Sequence, residues 1–89
     1  MQRREVYYSG DVQGVGFRYT ARRVAEGYPV TGFVRNLADG RVQLVVEGPE
    51  AEVAAFLSEL ERVMHGYIRH VATETVAPRG EFTGFAIRH

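Results

Sequence analysis

The sequence predicts an α+β fold of two layers, with two helices on one face of an antiparallel sheet. Three observations predict it. Two stretches repeat apolar residues at helical spacing: Phe17, Ala21, Val24, Ala25 and Tyr28, then Val53, Phe56, Leu57, Leu60, Val63 and Met64. Another stretch alternates, with Val42, Leu44 and Val46 set against Arg41, Gln43 and Glu47, as a strand with one buried face requires. The third observation is the order of the segments: strand, helix, strand, strand, helix, strand, and one further strand.

Each element has a local reason. Val6-Tyr7-Tyr8-Ser9 is aromatic and β-branched and Gly10 ends it, so the first strand is read from about Arg4 to Ser9. The first helix begins near Phe17, places Arg22, Arg23 and Glu26 opposite its apolar stripe, and is stopped by Gly27 and Pro29. Val30 to Asn36 reads as the second strand and Arg41 to Glu47 as the third. Leu37-Ala38-Asp39-Gly40 carries a turn signal and joins them as a hairpin. Pro49 suits the first position of the second helix, where Glu50 and Glu52 meet the positive end of its dipole, and Gly66 ends it. His70 to Val76 reads as a fourth strand, Pro78-Arg79-Gly80 as a loop, and Phe82 to Arg88 as the last strand. Two crossover helices on one face of such a sheet make the ferredoxin-like arrangement, βαββαβ with a further C-terminal strand.

Bulk properties narrow the function. The 89 residues make a single domain, 1–89, with 45% hydrophobic and 25% charged residues. A chain of this size buries a little over roughly 60% of its unfolded surface, enough for one modest core. Eleven basic and eleven acidic residues cancel, so the electrostatic footprint of a nucleic-acid binder is missing. Cysteine is absent, which removes disulfides, thiol nucleophiles and thiolate metal sites. No apolar run is long enough to span a membrane, and Met1-Gln2-Arg3-Arg4-Glu5 is not followed by the apolar core of a signal peptide. A cytoplasmic protein is therefore the expectation.

The chemistry concentrates in Gly10-Asp11-Val12-Gln13-Gly14-Val15-Gly16-Phe17-Arg18. Three glycines in seven residues let successive backbone N–H groups converge, and the turn feeds a helix N-terminus, which favours anions. Arg18 follows with a planar fork of donors suited to phosphate or carboxylate. Read from the residues alone, this is either an anion cradle with a guanidinium clamp or a plain strand–turn–helix connection with a surface arginine. It is not a Walker loop, because all eleven basic residues are arginine. Nor is it the dinucleotide fingerprint, because Tyr19 stands where the last glycine belongs. Asn36 ends the second strand. It either starts the turn or, if the first two strands lie side by side, meets the glycine loop and offers it an amide.

Val12-Gln13-Gly14-Val15-Gly16-Phe17-Arg18 resembles the phosphate loop of acylphosphatases. Gly32-Phe33-Val34-Arg35-Asn36 followed by Asp39-Gly40 resembles that family's second signature, and the likeness runs on through Gly48-Pro49 to Phe85-Ala86-Ile87-Arg88. The resemblance implies the ferredoxin-like fold and hydrolysis of the carboxyl–phosphate anhydride of an acyl phosphate. It also implies that Arg18 binds the phosphate and Asn36 orients the attacking water, while Asp11, Val12, Gln13, Gly14, Val15 and Gly16 supply backbone donors. A monomer acting on a small-molecule acyl phosphate is expected, with inorganic phosphate as product and, by occupying the same cradle, as inhibitor.

Two departures stand out. Asp11 occupies a position that is often basic in the family, and Met64-His65-Gly66-Tyr67-Ile68-Arg69 replaces the usual Gly-Pro-rich connection. No cofactor is expected. His65, His70 and His89 share no ligand spacing, so no metal is expected either. Asp39 is read as a turn residue and Arg35 as a solvated strand residue. The competing functions are a catalytically quiet anion- or carbamoyl-phosphate-binding module and an RNA-binding sheet. The second is disfavoured by neutral charge and by a third strand without aromatics.

Overall fold

The computed structural model describes residues 1–89. The elements are β1 (Gln2–Gly10), α1 (Phe17–Ala25), β2 (Thr31–Asn36), β3 (Val42–Gly48), α2 (Glu50–Val63), β4 (Ile68–Val76) and β5 (Phe85–Arg88). They form one sheet in the order β4-β1-β3-β2-β5. β1 pairs antiparallel with β3 and with β4, and β2 pairs antiparallel with β3. The sheet as a whole is mixed, because β5 runs parallel to β2. The expected α+β ferredoxin-like sandwich is thus present, with one parallel pair at its far edge.

The topology follows from the two crossovers. β1 and β2 are not neighbours: β3 lies between them, antiparallel to both, so the pair is a split βαβ unit. In the same way β1 separates β3 from β4, the strands that α2 connects. Right-handed crossovers put both helices on one face. That face holds the core. Val6 and Tyr8 of β1, Val34 of β2 and Val42, Leu44 and Val46 of β3 pack against Phe17 and Ala21 of α1 and Val53, Phe56 and Leu60 of α2. The Tyr8 ring lies 5.0 Å from that of Phe17, which pins the start of α1 over the sheet.

Strand parity sets what faces the other way. Odd-numbered Arg3, Phe33 and Glu47 point away from the helices and are still buried. They are covered by residues 77–84, which cross this open face from β4 at one edge to β5 at the other. Phe82 was expected within the last strand. It lies instead on this face with its ring 5.8 Å from Phe33, and β5 starts three residues later. The Glu47 carboxylate anchors the crossing. It accepts N–H bonds from Arg79 and Gly80, 2.9 Å each, and pairs with Arg3 at 2.9 Å. Arg3 also reaches Glu81 at 2.9 Å.

Burial alone opposes the Glu47 charge, but the two amide donors and the Arg3 guanidinium outweigh it and hold the carboxyl below the usual glutamate range. A folded-state value depressed in this way stabilises the protein above the ordinary glutamate range. That contribution fades as the pH falls through the folded value. Glu47→Gln is accordingly expected to cost about 2 kcal/mol at neutral pH, the loss of hydrogen bonds to a charged acceptor, and to flatten the acid limb of the stability profile. Urea unfolding between neutral and acidic pH checks both. Parent-like stability with an unchanged acid limb refutes the anchor.

Candidate active site

The loop between β1 and α1 is tied down at both ends. Its first residue, Asp11, donates its backbone N–H to the Tyr67 carbonyl at 2.9 Å, and its carboxylate faces Arg69 at 3.2 Å. Val12 is buried in the core. Gln13 turns its side chain the opposite way, across the end of β3, and its amide N–H₂ donates to the carbonyls of Leu37 and Arg41 at 2.8 and 3.0 Å. These carbonyls close the β2–β3 hairpin, where the Leu37 N–H donates to Arg41 at 2.8 Å. One side chain therefore fastens the loop to the hairpin, and this is how Asn36 reaches the loop although β1 and β2 are two strands apart.

Between these anchors the backbone leaves its donors without a carbonyl partner. Gly14 and Gly16 both adopt a φ of +78°, in the left-handed region that glycine enters without a Cβ penalty. Gly16 is also the N-cap of α1. None of the N–H groups of Val12 through Tyr19 donates to a carbonyl of the protein, and the next one, Thr20, closes the first helical bond with Gly16 at 3.0 Å. Successive N–H groups at a helix N-terminus, kinked by left-handed glycines, form an anion-binding concavity.

Arg18 and Asn36 complete it. Val12, Gly14, Gly16, Phe17, Arg18, Tyr19 and Asn36 line one cleft of about 220 Å³. Asn36 has the strand parity of the core residue Val34, so it extends from the end of β2 on the helix side of the sheet, towards the start of α1. Arg18 is half-buried and has no carboxylate partner. Its Nη1 donates to Nδ1 of His89 at 3.2 Å, a contact that no local pattern announces, since the two lie 71 positions apart.

Of the residues singled out from the sequence, Arg18, Asn36, Gly14, Gly16 and Val12 line the cleft together. Val15 is exposed beside it. Gln13 contributes by its side chain as the fastener. Asp11 does not line the cleft, and its N–H is already taken by Tyr67. Tyr19 lines it and was missed; its signal was its place next to Arg18 at the exposed end of a helix. Asp39 is a turn residue, as expected. The N–H and the guanidinium of Arg41 hold its carboxyl below the usual aspartate range, with distances of 3.1 and 2.8 Å. Arg35 has the other strand parity and donates to Gln43 at 2.6 Å, away from the cleft. No three His, Asp or Glu side chains converge as a metal-binding group.

The acylphosphatase family model matches residues 4–87. An acylphosphatase of Moorella thermoacetica is 48% identical over 80 residues, 89% of this chain and 85% of the relative. One from Roseiflexus sp. is 42% identical over 88 residues, 98% of this chain and 95% of the relative. The crystal structure of an acylphosphatase from Bacillus subtilis superimposes over the full length of both chains with a TM-score of 0.89, at 26% identity. Sequence match and fold coincide along nearly the whole length, and the chain belongs to the acylphosphatase family.

Proposed function

We propose that the cleft hydrolyses acyl phosphates, with the unpaired N–H groups of the loop and Arg18 holding the phosphoryl group and Asn36 holding the attacking water. The observation that carries this reading is the meeting, in one small cleft, of consecutive backbone donors without a protein acceptor, an arginine without a carboxylate, and an asparagine amide. Phosphoryl transfer proceeds through a loose transition state with charge spread over the equatorial oxygens. Fixed N–H donors and a guanidinium fork stabilise that charge without reorganising. The water oxygen bonds to phosphorus as the bond from phosphorus to the acyl oxygen breaks. The electron pair leaves on the carboxylate, and the water's proton passes to the phosphate product and solvent. A carboxylate is a good leaving group and needs no general acid. Water needs orientation more than deprotonation, in keeping with a cleft lining that holds no carboxylate and no imidazole.

Asp11 takes no part, since its N–H is engaged and its carboxylate is matched by Arg69. The reading includes a monomer that acts in the cytoplasm on a small molecule. No helix is long and apolar enough to cross a membrane. Benzoyl phosphate hydrolysis, followed in the ultraviolet with a chelator present, is the test. Turnover is expected to be unaffected by the chelator and to be competitively inhibited by inorganic phosphate. Binding of phosphate without turnover of any acyl phosphate identifies a quiet anion-binding module instead.

A further inference from the structure

A second cavity adjoins the first. It measures about 460 Å³ and runs along the outer side of α1, lined by Gly16, Tyr19, Thr20, Arg22, Arg23 and Glu26. The two cavities share Gly16 and Tyr19, whereas Asn36 lines only the inner one. Arg22 and Arg23 make no ion pair and no side-chain hydrogen bond. The Arg22 guanidinium instead lies over the Tyr19 ring, 5.6 Å from its centroid. Two unmatched cations and an exposed aromatic face thus stand beside the cleft.

In-line displacement says which group meets them. The attacking and leaving oxygens lie on opposite sides of phosphorus. If water sits against Asn36, the acyl group leaves on the side away from it, past Gly16 and Tyr19, into the outer cavity. Arg22 is one helical turn beyond Arg18, about 6 Å along the axis. We propose that the outer cavity is the acyl subsite, and that it selects acyl phosphates carrying a second anionic group on the acyl chain. Tyr19 receives the body of the chain, and Arg22 and Arg23 receive the distal anion. Glu26 also lines the cavity and opposes an anion. It is four residues beyond Arg22 and three beyond Arg23, a neighbour of both on the helix surface, yet it pairs with neither. The inference rests on the assignment of water to Asn36.

The test compares benzoyl phosphate with 4-carboxybenzoyl phosphate, which differ by one carboxylate on the far side of a rigid ring. At low ionic strength the ratio of their kcat/KM values is expected to favour the carboxylated substrate about fivefold, as two exposed ion pairs allow. The preference is expected to shrink with added salt. The double variant Arg22→Glu with Arg23→Glu is expected to invert it. A ratio cancels any general loss of activity in the variant. A parent ratio near one, or a ratio that charge reversal leaves unchanged, overturns the subsite while the hydrolysis of both substrates leaves the reading of the cleft intact. Absence of turnover of benzoyl phosphate itself overturns both.

Discussion

Arg18→Ala is expected to lower kcat/KM for benzoyl phosphate on the order of 10⁴-fold, about 5.5 kcal/mol of transition-state stabilisation. The size follows from what remains. The backbone donors of the loop still face the phosphoryl oxygens, but the one full positive charge in the cleft lining is gone. Arg18→Lys is expected to recover at most about tenfold of the loss, because an ammonium presents a point charge in place of a planar fork. The fold is not at stake. Arg18 has no carboxylate partner, and its one hydrogen bond is an exposed contact with His89, so both variants are expected to unfold within about 0.5 kcal/mol of the parent. Phosphate inhibition is expected to weaken alongside kcat/KM. A folded Arg18→Ala protein with substantial turnover shows that the backbone donors carry the phosphate alone, or that another arginine serves, with Arg22 one turn along the same helix as the first to examine.

How much of this was legible beforehand differs from element to element. The helices and the central strands read well because their stripes answer to one buried face: Phe56 and Leu60 on α2 and Leu44 on β3 are fully buried. The last strand was placed too early because Phe82 is as apolar as a strand residue. Its partner is an aromatic ring on the open face, and a periodicity cannot distinguish a residue that plugs a face from one that extends a ladder. β5 runs parallel to β2 because the chain from β4 crosses the whole sheet before it pairs, and nothing local to residues 85–88 announces that. The glycine loop was legible as a turn with converging N–H groups, open to reading as an anion cradle or as a plain strand–turn–helix connection, because its backbone chemistry is local. Its meeting with Asn36 was expected from strands lying side by side. The structure reaches the same juxtaposition differently, with β3 between the strands and the Gln13 amide spanning its end. Asp11 is counted among the donors by the resemblance of the loop, and its N–H bond to Tyr67, 56 positions away, engages that donor elsewhere.

That path also sharpens the test of Asn36. The Asn36→Ala variant is expected to lower kcat by about 10²–10³-fold, roughly 3–4 kcal/mol, comparable with removing one essential polar group from a preorganised site. Phosphate inhibition is expected to change little, because the lost amide acts on the water and is needed mainly in the transition state. Asn36 also sits where a turn begins, so its loss could act by loosening the hairpin. The structure separates the two effects. The hairpin is closed by Leu37 with Arg41, by Gln13 and by the Asp39 carboxylate, none of which uses the Asn36 side chain. Thermal unfolding of Asn36→Ala is therefore expected to stay within a few degrees of the parent, in line with a loss below about 0.5 kcal/mol. Asn36→Asp is expected to do no better than alanine, since its charge lies close to the phosphoryl oxygens and repels them. A folded Asn36→Ala protein with near-normal kcat, or one that loses phosphate inhibition as severely as Arg18→Ala, shows that water is held elsewhere. The direction assigned to the departing acyl group then falls with it.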